Sequence, residues 1–176
     1  SRPLQDISVQ KQILQLFNQN GIAQSRLFLT GQVRSISQHL SLYNQVDIAL
    51  DPFPYNGTTT TCEALVMGIP VLTIEGFNHA GRVSKSLLWS VGLSDWIANN
   101  KSDFFYKAQA LTKEINVLVQ LRLYLREIML QAKICNSIGH TKKIETTFTR
   151  IWQKKCMTIR KNSAFLLKEI QGIADK

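Results

Sequence analysis

The sequence predicts an α/β fold: a parallel sheet covered by helices, followed by an all-helical C-terminal part. Three observations carry this prediction. Short β-type apolar runs at 27–30, 46–50 and 71–74 alternate with stretches of helical period, the arrangement of consecutive βα units. The run DIALDPFPYNGTTTTCE (47–63) passes from a buried-type strand, through two prolines and Asn56-Gly57, into a helix start. Beyond Ser102 only helical periodicity remains. The expected division is a sheet-bearing lobe over 1–100 and a basic helical region over 101–176 that packs on it.

Each element has a local reason. Residues 8–20 carry Ile13, Leu14, Leu16 and Phe17 at helical spacing, with Asn20-Gly21 as the stop. A short strand is expected at 27–30, bounded by Gly31. Residues 35–45 read as a helix with Ile36, Leu40 and Tyr43 on one face and Ser35 or Ser37 as cap. The strand 46–50 follows, then a helix over 60–67 ended by Gly68 and Pro70, the glycine-then-proline stop. Residues 71–74 form a buried strand. A polar loop, 76–81, leads to a helix over 82–91 ended by Gly92, and 95–98 reads as a short strand or turn. Helices are then expected over 104–118, 120–133 and 141–155, with a break at 136–139. Residues 157–171 either extend the last helix or form another.

Bulk properties narrow the function classes. At 176 residues and 44% hydrophobic, the chain is long enough for one domain, or a lobe with an appendage. No apolar run is long enough to span a bilayer, and no membrane partner is expected. The N-terminus shows no signal-peptide pattern and no initiator Met, so a fragment or processed form is one reading. Cys62, Cys135 and Cys156 form no CxxC pair, which speaks against a zinc or dithiol site and fits a reducing, cytoplasmic location. No metal ligand spacing appears. Six Lys/Arg and six Asp/Glu precede residue 101, so the net charge of +9 resides entirely in 101–176. Such a basic surface suits an acidic partner, but no nucleic-acid signature accompanies it, and nucleic acid is not the expected ligand.

The chemistry concentrates in the turn. Asn56-Gly57 is expected to take φ > 0 and bend the chain sharply after the strand. Thr58, Thr59 and Thr60 then place hydroxyls and first-turn N–H groups in the crevice beyond the strand's carboxyl end, where α/β sheets bind ligands and a helix N-terminus favours anions. These threonines are the candidates for a diphosphate. Glu63, one turn on, cannot bind phosphate but accepts hydrogen bonds from ribose hydroxyls. The motif is neither a GKS/T phosphate loop nor a GxGxxG fingerprint, so kinase and dehydrogenase readings are weak. On spacing alone, a turn that is merely capped, with a solvated Glu63, remains open.

The segment 47–74, continuing through Gly76, RVSKSLL (82–88) and Gly92-Leu93, resembles the C-terminal, donor-binding lobe of the O-GlcNAc transferase/SPINDLY family of GT-B glycosyltransferases. Weaker similarity runs through 104–108, Leu121-Arg122, Leu125-Arg126 and the helix 145–152, so it covers roughly residues 8–155. The resemblance implies a truncated Rossmann-like parallel sheet with a helical C-terminal extension. It implies a nucleotide-diphosphate sugar as donor substrate, of the UDP-GlcNAc or GDP-fucose type, no cofactor, and a protein Ser/Thr acceptor bound by the half of the enzyme outside this chain. It assigns the diphosphate to the pair Thr59 and Thr60, the ribose to Glu63, and the neighbourhood of the base to His39. Arg82 matches a recurrent arginine with either a structural or a ligand role, and His79 has none assigned.

The sequence departs from the family at Thr58, where many relatives have His or Gly. It departs also at Ile36 and Leu42, which stand where a lysine and an arginine approach the nucleotide. The catalytic lobe, the acceptor-binding repeats and the base all lie outside the resemblance. The chain alone is therefore expected to be inactive. If 27–30 were the third strand of a 3-2-1-4-5-6 sheet, two neighbours would be missing and the lobe only marginally stable. The alternative function is a non-catalytic remnant or interaction module with a basic helical surface.

Overall fold

The computed structural model describes residues 2–174, and the side chains of residues 4–163. In chain order the elements are α1 (Ile7–Gln19), α2 (Ile36–Ser41), β1 (Ala49–Leu50), α3 (Thr59–Val66), β2 (Val71–Ile74), α4 (Val83–Ser90), β3 (Ile97–Ala98), α5 (Lys101–Leu111), α6 (Ile115–Gln131) and α7 (Ser137–Ala174). Short 3-10 turns link several of them. The chain divides into two compact units, Ser1–Ala49 and Leu50–Lys176, so the helices after residue 100 belong to the same unit as β2 and β3.

The first unit is helical. Asp6 caps α1 by accepting a hydrogen bond from the Ser8 N–H at 2.7 Å. Ser35 caps α2 through the Gln38 N–H, and the predicted helix tightens after Ser41 into a 3-10 turn over Leu42–Gln45. The strand expected at 27–30 is absent. Leu27 and Leu29 are half-buried and Phe28 is 77% exposed, but the run closes no ladder. The picture of a third strand with two missing neighbours falls with it.

The second unit holds the sheet, with strand order β1-β2-β3. β2 and β3 pair in parallel, Thr73 opposite Ile97 and Ile74 opposite Ala98. The Asp51 N–H donates to the Leu72 carbonyl at 2.9 Å. All four residues of β2 are buried, which is why this strand reads as an unbroken apolar run rather than an alternation. The predicted strand at 95–98 is half 3-10 turn, Ser94–Trp96, and half β3. Leu65, Leu72, Leu88, Ile69 and Leu125 are wholly buried and form the centre of the core. Each such side chain contributes about 1.5–3 kcal/mol by leaving water.

Helix α3 packs on α6. Gly68 closes α3 with φ +79°, and a Cβ there would lie 2.7 Å from the Arg122 carbonyl oxygen, so both its torsion and its neighbour demand glycine. The Arg122 and Arg126 guanidiniums donate to the Met67 and Val66 carbonyls at 3.3 Å each, satisfying the C-terminal end of α3 and complementing its dipole. α5 is anchored by Lys107, which donates to the Ile97 carbonyl at 2.7 Å.

Two helix boundaries differ from the sequence reading. The predicted helix over 104–118 breaks after Leu111 at a connection that contains neither Gly nor Pro, and periodicity does not mark it. Asn136 to Gly139 is a helix start rather than a break: the Asn136 side-chain oxygen accepts from the Gly139 N–H at 2.8 Å, and α7 runs on unbroken as 38 residues. No described helix is long and apolar enough to cross a membrane.

Candidate functional site

The site begins where β1 ends. Asp51, the first residue past the strand, is 8% exposed. One carboxylate oxygen accepts from the Gly57 N–H at 2.7 Å, the other from the Thr73 hydroxyl at 2.6 Å. Between these anchors the chain loops out through Pro52, Phe53, Pro54 and Tyr55, all exposed, with a cis peptide bond at Phe53-Pro54. Asn56 turns it back. Its side chain is 1% exposed and donates to the Thr73 hydroxyl at 3.2 Å and to the Pro52 carbonyl at 3.4 Å, and its own N–H donates to the Ala80 carbonyl. The Asn56 side-chain oxygen is buried and finds no acceptor role among the described residues. Such a group costs about 1–3 kcal/mol, a local weakness in an otherwise satisfied network.

Gly57 is held on both sides. Its N–H meets Asp51, and its carbonyl accepts from the Ser84 hydroxyl at 3.0 Å. Ser84, wholly buried in the first turn of α4, also shares a hydrogen bond with the Thr61 hydroxyl at 3.0 Å. The expected positive φ at Asn56-Gly57 is not found: among the described residues φ is positive at Gly21, Gly68 and Gly92. Glycine is required at 57 for a different reason. A Cβ there would stand 2.5 Å from the Thr60 hydroxyl oxygen and 2.8 Å from that of Thr61.

Beyond this buried frame, Thr58, Thr59 and Thr60 are all exposed at the head of α3, with Thr58 at the N-cap position and making no side-chain cap. Thr61, Ala64 and Leu65 form the buried face of the same helix. The α3 N-terminus thus presents first-turn N–H groups and the exposed residues Thr58 to Thr60 at the carboxyl end of β1, with the Thr60 hydroxyl lying close over Gly57. Glu63 is half-buried one turn further along α3. Next to it, burial pushes the Cys62 thiol above its ordinary pKa, and Cys135 and then Glu63 add to the effect.

Of the residues singled out in the sequence, Asn56, Gly57, Thr58, Thr59, Thr60 and Glu63 fall within one stretch of the second unit. Their roles divide: Asn56 and Gly57 are the frame, their polar groups turned to protein partners, and the threonines are the exposed surface. His39 belongs to the first unit. It is half-buried on α2 with its ring edge-to-face on Tyr43, centroids 5.7 Å apart. Arg82 sits at the start of α4. With His79, Glu75, Lys85 and Ser86 it lines an open cleft of about 490 Å3, in which Lys85 and Glu75 pair. Among the described residues no group of three His, Cys, Asp or Glu is placed to hold a metal ion.

Sequence reasoning assigned no role to Asp51, Thr73 or Ser84. The available signal was polarity out of place: a carboxylate directly after a buried strand, a threonine inside the apolar run 71–74, and a serine at the start of the helix that follows.

A β2/β3 parallel pair with helices packed around it, and a polar strand-to-helix turn at its carboxyl edge, define an α/β lobe of the kind found in GT-B proteins. The chain belongs to glycosyl transferase family 41, whose family model matches residues 6–144. It is 37% identical over 149 residues to a tomato (Solanum lycopersicum) protein named probable UDP-N-acetylglucosamine--peptide N-acetylglucosaminyltransferase SPINDLY, covering 85% of this chain and 16% of that protein. An Arabidopsis thaliana relative, named as the corresponding SEC enzyme, is 27% identical over 137 residues, covering 77% of this chain and 14% of the relative. Among solved structures, a mutant O-GlcNAc transferase of Thermobaculum terrenum superposes with a TM-score of 0.80 at 33% identity, over 88% of this chain and 30% of that one. The chain thus spans about one sixth of the length of the curated relatives it matches.

Proposed function

We propose that the head of α3 is the diphosphate end of a nucleotide-sugar donor site, and that the chain is the donor-binding portion of a protein O-glycosyltransferase. One observation carries the reading: three consecutive threonines are exposed at a helix N-terminus, directly after the hydrogen-bonded Asn56-Gly57 turn and directly before the buried Thr61. N–H groups and hydroxyls fixed in this way stabilise the charge that develops on a departing diphosphate without reorganising. Glu63, on the same helix, is the proposed ribose partner, and His39 the proposed neighbour of the base. The names of the relatives favour a UDP-sugar, N-acetylglucosamine in particular, and a peptide hydroxyl as acceptor.

Titration of the chain with UDP and with GDP tests the reading. Binding is expected for the wild type. In Thr60→Ala it is expected to weaken by about 1.5–3 kcal/mol, roughly 10- to 100-fold, the worth of a hydrogen bond to a charged group. The 176-residue chain is expected to bind donor without transferring sugar to a peptide. Equal, absent binding in both proteins sinks the reading and favours a non-catalytic interaction module. The feature that would serve such a module is α7, along which every described side chain from His140 to Ser163 is exposed except Cys156.

A further inference from the structure

We infer that Asp51, acting with Thr73 and Ser84, is the positioning residue of the threonine turn: it holds the Gly57 peptide so that 58–60 stay at the surface in one conformation. The inference depends on the proposed donor site for its ligand, and on geometry alone for the turn. Three observations lead to it. Asp51 is an acid 8% exposed, an uncommon place for a carboxylate, and both its oxygens are engaged within the protein, at 2.7 and 2.6 Å. The Gly57 peptide is held from opposite sides by two elements, its N–H by Asp51 at the end of β1 and its carbonyl by Ser84 of α4. Asp51 reaches Gly57 across six residues of the loop itself, while its second partner Thr73 is 22 residues away and Ser84 is 27 from Gly57, so the turn is fixed jointly by its own first residue and by tertiary structure.

The chemistry follows from which groups are consumed. The Gly57 N–H is occupied by Asp51 and is withdrawn from ligand binding. The phosphate-facing donors therefore begin at Thr58. Asp51 sits behind the turn as an acceptor, and a second anion arriving at the head of α3 meets only donors. Thr73 links this acceptor to Asn56, since its hydroxyl donates to Asp51 and accepts from the Asn56 amide. A turn locked in this way loses little conformational freedom when a ligand arrives, which is how preorganisation raises affinity without adding contacts.

Amide hydrogen exchange and UDP titration on the full 176-residue chain test the inference together. In Asp51→Ala, exchange at Gly57 is expected to rise roughly tenfold or more while α6 amides around Leu125 hold their protection, and UDP affinity is expected to fall by a similar factor. Asp51→Asn keeps one acceptor for Gly57 but takes away the acceptor of the buried Thr73 O–H, so both readings are expected to fall between those of the wild type and of Asp51→Ala. Unchanged exchange at Gly57 in Asp51→Ala overturns the inference, as does an equal loss in the alanine and asparagine variants. If Asp51→Ala loses protection throughout the chain, Ser84→Ala and Thr73→Val decide: each is expected to speed exchange at Gly57 severalfold, and no change in either overturns the inference. If the wild type binds neither UDP nor GDP, the donor reading fails, and the exchange measurements still judge the turn.

Discussion

The two strand-to-helix connections of the second unit solve the same problem by opposite means. The loop between β1 and α3 is held by its own first residue, Asp51, together with two side chains reaching in from elsewhere, Thr73 and Ser84. The loop between β2 and α4 closes on itself. The Gly76 N–H donates to the Gly81 carbonyl at 2.7 Å, and Asn78 accepts from the Gly81 N–H at 2.8 Å. Gly76 and Gly81 pass so closely that a Cβ on either would lie about 3.0 Å or less from the other's Cα. Phe77, at its tip, is fully exposed. A loop fixed by its own backbone keeps its shape when its surroundings change, whereas a loop fixed by distant side chains depends on the whole unit. The connection that carries the threonines is of the second kind.

That contrast is breakable at several points. The largest effect is expected from Gly57→Ala, whose methyl would collide with the Thr60 and Thr61 hydroxyls inside the frame; a loss of about 2–4 kcal/mol in denaturant unfolding is expected, together with loss of UDP binding. A wild-type midpoint in that variant would show the first loop to be looser than its hydrogen bonds imply. Asn78→Ala is expected to cost only about 0.5–1 kcal/mol, since it removes one local hydrogen bond in an exposed loop, and to leave UDP binding unaltered. A loss of UDP binding in that variant would mean that the Asn56–Ala80 backbone hydrogen bond carries the disturbance from one loop to the other.

The smallest effect concerns Cys62, at the base of the threonine turn. Its thiol holds a proton more tightly in the folded chain than its ordinary value of 9.0, chiefly because burial disfavours the thiolate. The stability linked to it is therefore intact below that ordinary value and drains as the pH rises from there through the raised folded value. Alkylation at pH 8 is expected to be slower at half-buried Cys62 than at exposed Cys135, and to accelerate at Cys62 in Gly57→Ala. Equal rates in the two backgrounds would confine the disturbance to the turn itself.

Much of this architecture is legible in the sequence because the punctuation is local. Gly68 and Pro70 end α3, β2 is an unbroken apolar run, and Asn20-Gly21 ends α1. The threonine cluster likewise announces a helix start after a strand. The reading failed where the deciding partner lies far away or is absent. The run 27–30 has strand composition but pairs with no strand among the described residues, and composition does not reveal that. Asn136 to Gly139 has loop composition, yet the asparagine cap turns it into a helix start. Gly57 reads as a residue needed for its torsion, whereas it is needed for space, because the hydroxyls that crowd it come from a helix that has already turned back. Thr73 and Ser84 stayed without a role because their pairing with the turn spans more than 20 residues and no local pattern encodes it, and Asp51, six residues from Gly57, because its burial is not visible in the sequence.

Helix α3, with only eight residues, is secured at head and tail. The Thr61–Ser84 bond ties its first turn to α4, and Arg122 and Arg126 clasp its last carbonyls from α6, where Gly68 lets the two backbones touch. A rod of about 12 Å fixed at both ends behaves as a strut. Load applied at its tip, such as the pull of a charged group docking there, passes directly into the core instead of being absorbed by fraying. The two arginines, at the opposite end of the helix from the threonines, thereby act as the foundation on which the tip rests.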